Sequence, residues 1–106
     1  MGKKESLKLI GDFVNKLTKH FSVKEVIFFG SRAEGRARED SDIDLIIVSD
    51  DFEGMTFFRR VAKMYDYWET VMPVDFLCYT IEEYERLKKK ISIVSEALKV
   101  GVVVKG

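Results

Sequence analysis

Leu7, Ile10, Phe13, Val14, Leu17 and Phe21 recur at intervals of three and four, which predicts an amphipathic helix over residues 5–20. Val23–Phe29 follows, dense in β-branched and aromatic residues and running straight into Gly30, and reads as a strand. Residues 30–41 are polar and hold two glycines, the pattern of a loop. A second strand is predicted over residues 42–48. Phe57, Phe58, Val61, Ala62, Tyr65 and Trp68 mark a helix over 55–70, with Tyr65 and Trp68 on its core stripe. Pro73, the only proline, stops any continuation, and Val74–Tyr79 reads as a third strand. Thr80 and Glu83 form a capping box that opens a helix reaching Lys90. A last helical stretch, 92–99, ends at Gly101 as C-cap, and residues 102–104 add a short edge strand.

This order predicts an α/β (α+β) fold, a small mixed sheet of three or four strands with helices packed against it. The loop between the first two strands is short for a parallel crossover carrying a helix, so those strands are expected to be antiparallel. The 106 residues suit a single domain, 1–106, with a core that needs no covalent staple.

Charge and composition narrow the chemistry. Eighteen basic residues balance eighteen acidic ones, which argues against general nucleic-acid binding or an anionic membrane surface. A single cysteine, Cys78, and a single histidine, His20, exclude an internal disulfide and any Cys/His metal cluster. A metal here is held by carboxylates, which suits Mg²⁺ or a similar hard ion. No apolar run is long enough to span a membrane, and the first residues lack a signal-peptide core. The expected location is the cytoplasm.

Gly30 and Ser31 sit where a strand ends and the chain must turn. Gly30 allows positive φ and leaves space for a ligand, and the N–H groups around Ser31 suit a phosphate. Ser41-Asp42-Ile43-Asp44-Leu45 then opens the next strand. Residues two apart on a strand share a face, so Asp42 and Asp44 project together while Ile43 and Leu45 enter the core. Adjacent like charges repel, and a divalent cation relieves that repulsion. Asp75 interrupts the apolar run Val74-Asp75-Phe76-Leu77-Cys78, where a buried carboxylate would be costly. If its strand pairs beside that of Asp44, three carboxylates converge into a two-metal site for phosphoryl or nucleotidyl transfer.

The stretch FGSRAEGRAREDSDIDL resembles the signature of the minimal nucleotidyltransferases of the DNA polymerase β superfamily. That signature is a Gly-Ser turn, about ten residues, an Asp-x-Asp strand and a later strand with a third carboxylate. The resemblance implies the nucleotidyltransferase fold and an adenylyltransferase-like enzyme using two Mg²⁺ ions and ATP. Asp42 and Asp44 would hold both ions and the triphosphate. Asp75 would hold the catalytic ion and help activate an acceptor hydroxyl. Gly30 and Ser31, with Arg32 beside them, would contact the phosphates. Glu34 departs from the usual small or basic residue, and Arg32, Arg36 or Arg38 would have to offset it.

Larger relatives add a helical acceptor-binding domain after the core, where this chain ends. The resemblance therefore implies an acceptor on a partner, a small helical HEPN-type protein in an antitoxin-like pairing; a homo-oligomer is also compatible. The alternative is a non-catalytic module that binds and neutralises such a partner. Transfer to a small molecule is a third reading. The bland readings are a buried Cys78, a solvated run from Arg86 to Lys90, His20 at a helix end, and Phe57 and Phe58 with one ring facing outward.

Overall fold

The computed structural model describes residues 2–106. Helix α1 (Lys3–Leu17) leads into strand β1 (Val23–Phe29), a one-turn helix α2 (Ser31–Glu34) and strand β2 (Ile43–Ser49). A 3₁₀ turn (Asp50–Phe52) precedes helix α3 (Phe57–Tyr65) and strand β3 (Val74–Tyr79). Helices α4 (Ile81–Lys88) and α5 (Ile93–Val100) and strand β4 (Val102–Lys105) complete it.

The sheet order is β3-β2-β1-β4. The chain reverses between β1 and β2, so these two are antiparallel, as the loop length predicts, and β4 is antiparallel to β1 on its other side. β3 lies parallel to β2 at the opposite edge. β2 is central and buried on both faces, which is why its run is apolar without alternation. Ile43, Leu45 and Ile47 pack with Phe13, Met64, Trp68 and Phe76 under α1 and α3. Ile46 and Val48 pack with Tyr84, Val94 and Ala97 of α4 and α5. Helices therefore cover both faces.

Polar staples fix the corners. Arg60 on α3 is buried, donates to the Cys78 carbonyl at 3.1 Å and pairs with Glu83 at 2.6 Å. Glu83 also accepts from the Thr80 amide at 2.8 Å, which is the predicted capping box of α4. Its carboxyl is held below the usual value, first by the Arg60 hydrogen bond.

Several expectations are corrected. The predicted 55–70 helix closes at Tyr65, where the amides of Asp66, Tyr67 and Trp68 bond to the carbonyls three residues back, and the Trp68 indole donates onward to the Met72 carbonyl at 2.8 Å. Trp68 is core, but Tyr65, 48% exposed, is not. Phe57 and Phe58 are both exposed, Phe57 keeping an edge contact with Tyr79. His20 lies past the end of α1 and stacks on Tyr67. Gly101 caps α5, but with extended backbone. Cys78 is fully buried, and burial pushes its thiol up to about 12, as expected of a small core hydrophobe.

Candidate active site

The site gathers at the end of the sheet where β1 stops and β2 and β3 begin. β1 delivers Gly30, whose φ of +82° is in the left-handed region that favours glycine. A second constraint acts there. A Cβ on Gly30 would collide with the Asp44 carboxylate, so Asp44 fills the space a larger residue would need. Ser31 follows as the first residue of α2, and the Glu34 amide donates back to the Gly30 carbonyl at 3.1 Å.

Asp44 is the second residue of β2, and its partner on the parallel neighbour is Asp75, the second residue of β3. Register partners on adjacent strands project to one face, so the two carboxylates stand side by side. Asp42 lies just before β2, two residues from Asp44. The Ile43 amide, donating to the Pro73 carbonyl at 3.0 Å, locks the starts of the two strands together. Burial pushes the Asp44 carboxyl up from 3.8 to about 6, and the charges of Asp75 and Asp42 add to the rise. The three aspartates therefore feel one another.

Asp75 corrects one expectation. It is exposed, because β3 is an edge strand with the alternation its sequence shows: Val74, Phe76 and Cys78 inward, Asp75 outward. The carboxylate is therefore not desolvated there, and the edge position accommodates an acid without a buried partner.

Arg32 is only 3% exposed, and its guanidinium donates to the carbonyls of Ser41, Arg38 and Glu39. Glu34 is paired by Arg36 at 3.1 Å.

Tyr65 is a site-rim residue that helical spacing assigns to the core. Its hydroxyl donates to the Val74 carbonyl at 2.6 Å, one residue from Asp75. Burial raises its pKa, with Asp75 and Asp42 adding to the shift. No local pattern separates it from the apolar stripe of α3.

Among the described residues, no three carboxylate, imidazole or thiol side chains are already drawn together as a metal cluster. The donors nevertheless fit a hard divalent cation. They are all carboxylates, Asp44 and Asp75 register partners on one face and Asp42 two residues before Asp44.

Two antiparallel strands joined through a Gly-Ser turn, with aspartates at the starts of two parallel strands, define the frame of a nucleotidyl-transfer domain. The sequence comparison agrees. The chain belongs to the nucleotidyltransferase domain family, whose model matches residues 10–100. It is 33% identical over 57 residues to a protein adenylyltransferase, MntA, from Thermococcus cleftensis, covering 54% of each chain. The chain thus spans about half the length of that curated relative. A crystal structure assigned to a nucleotidyltransferase from Sulfolobus solfataricus superposes with a TM-score of 0.69 at 26% identity, over 95% of this chain and 80% of that one. A toxin–antitoxin structure with AMP-PNP shares the fold, with a TM-score of 0.55 at 17% identity over 89% of this chain and 71% of that one. No helix among the described residues is long and apolar enough to cross a membrane.

Proposed function

We propose that this chain transfers a nucleoside monophosphate, AMP from ATP, to a hydroxyl on a partner protein. The observation that carries the reading is the register pair Asp44–Asp75, with the Asp44 carboxylate seated against Gly30. It sets acid on two strands directly beside the turn suited to phosphate. Asp42, Asp44 and Asp75 are the residues that would hold divalent ions, two Mg²⁺ by the family resemblance. Such ions neutralise phosphate charge and lower the pKa of an attacking hydroxyl.

The chain's own residues then divide the work. Gly30 leaves backbone room for phosphate oxygens, and Ser31 offers its amide and hydroxyl at the turn. Asp44 on β2 and Asp42 just before it hold the nucleotide side. Asp75, on the open edge, is reachable by an acceptor and takes the side of the incoming hydroxyl. The naming of a relative as a protein adenylyltransferase supports a protein acceptor. A small helical HEPN-type protein is the partner we favour, in an antitoxin-like pairing.

The test is transfer of label from α-³²P-ATP to a co-expressed helical partner. The wild-type chain should label it with Mg²⁺ and not with EDTA. Asp75→Asn should keep most ATP affinity and its melting temperature while transfer disappears. Full transfer by a folded Asp75→Asn variant would remove Asp75 from the mechanism.

A further inference from the structure

We propose that Arg32 is a positioning residue, a brace that holds the segment delivering Asp42 against the Gly30-Ser31 turn, and not a phosphate ligand. The proposal rests on the nucleotidyl-transfer reading of the site. Arg32 lies inside α2, one residue past Ser31, so one end of the brace is the phosphate turn itself. Its Nε donates to the Ser41 carbonyl at 2.7 Å. Its Nη2 donates to the Arg38 carbonyl at 3.2 Å and the Glu39 carbonyl at 3.1 Å. The far end of the brace therefore sits on the residue directly before Asp42.

Among the described residues, the segment has few other ties to the fold, chiefly the Arg36 amide donating to the Ser31 carbonyl at 2.8 Å. Residues 36–42 carry no helix or strand, and most are exposed. A single turn closes within it, the Ser41 amide donating to the Arg38 carbonyl at 3.0 Å and the Arg38 amide to the Ser41 hydroxyl at 2.9 Å. Across nine residues of polar chain, the guanidinium ties the start to the end. A planar fork with several fixed donors can collect three carbonyls at once, whereas an ammonium is a point charge. The brace has a clear purpose. Asp42, Asp44 and Asp75 repel one another until a cation arrives, and Asp42 alone of the three is not held in a strand ladder. Left loose, it would swing away from its neighbours and would have to be reordered at each binding event.

Two readouts test this, one on the protein without ligand and one with Mg²⁺–ATP. Arg32→Met and Arg32→Lys should each raise hydrogen exchange at the bonded amides of residues 36–42, those of Arg36, Arg38 and Ser41, by about tenfold or more, with β1, β2 and β3 keeping their protection. Both should also weaken Mg²⁺–ATP binding by calorimetry by about tenfold or more. The lysine variant separates brace from ligand: a phosphate-binding cation is rescued by lysine, a three-carbonyl fork is not. Should Arg32→Met melt below the working temperature, Arg32→Lys and Arg32→Gln carry the comparison. Unchanged exchange in residues 36–42, a lysine variant with wild-type affinity, or protection lost equally in β1–β3 would each overturn the brace. The exchange result stands on ligand-free protein, so it remains decisive even if wild-type protein binds no nucleotide and the functional reading fails.

Discussion

Gly30→Ala and Gly54→Ala both strain a backbone with positive φ, at two places with different consequences. Gly30 has φ of +82° with ψ of −168°, a region almost reserved for glycine, and Gly54 has φ of +77°; an alanine at either costs about 1–3 kcal/mol. For a domain near 100 residues each 1 kcal/mol lowers Tm by about 4–8 °C, so both variants should melt several degrees early. Around Gly54 an added Cβ meets nothing within 4 Å. At Gly30 it lies 3.1 Å from Asp44 Cγ and closer still to the carboxylate oxygen. That carboxylate is the free end of a side chain and can rotate away, so the collision adds little to the loss of stability. It turns the Asp44 carboxylate from its place beside Asp75, however, and crowds the turn. Calorimetry with Mg²⁺–ATP should therefore show affinity reduced by about 10–100-fold in Gly30→Ala and unchanged in Gly54→Ala. Equal affinity in the two variants, or an equal fall in both, would refute the claim that Gly30 is reserved for the Asp44 carboxylate and its ligand.

Asp44→Asn should stabilise the ligand-free protein at pH 7.5. A carboxyl whose folded pKa is raised to about 6 binds its proton more tightly folded than unfolded, so stability falls as pH rises from about 4 to 6 and stays low above that. The gain from asparagine, about 1 kcal/mol after solvent screening, should shrink as melts are run toward pH 4; a gain that does not vary with pH would contradict the cause given. Glu83→Gln should cost about 2–3 kcal/mol in denaturant melts by leaving buried Arg60 half-paired. Because the folded pKa of Glu83 is lowered, that wild-type advantage is present above its unfolded pKa and fades as pH falls through the folded value. Phe76→Ala, which removes a ring packed against Phe13, Tyr65 and Trp68, should cost about 3–5 kcal/mol in the same melts.

The strands were legible because their residues are β-branched, aromatic and bounded by glycine or proline, and β2 shows its central place by being apolar on both faces. The same-face placement of Asp42 and Asp44 follows from strand parity alone. That Asp75 joins them required the register of β2 on β3, which no local pattern carries. Its exposure follows from β3 being an edge, again a property of the assembled sheet. The carbonyl bonds of Arg32 were hidden for a related reason. Basic residues beside a glycine-serine turn suggest phosphate, whereas its partners are backbone carbonyls, and backbone carbonyls leave no mark in a sequence. Tyr65 shares the spacing of the α3 core stripe, and only the end of the helix there turns it toward Asp75. The one-turn α2 is too short for periodicity to reveal.

The central claim is that Asp42, Asp44 and Asp75 hold divalent ions that bind a nucleoside triphosphate over the Gly30-Ser31 turn. Crystals grown with Mn²⁺ and a non-hydrolysable ATP analogue test it directly, because manganese is located by its anomalous scattering. The account predicts manganese bound by Asp42 and Asp44, with Asp75 on the ion nearest the α-phosphate and the outer phosphates against Gly30 and Ser31. Manganese bound elsewhere, or the analogue seated away from the three aspartates, would contradict it.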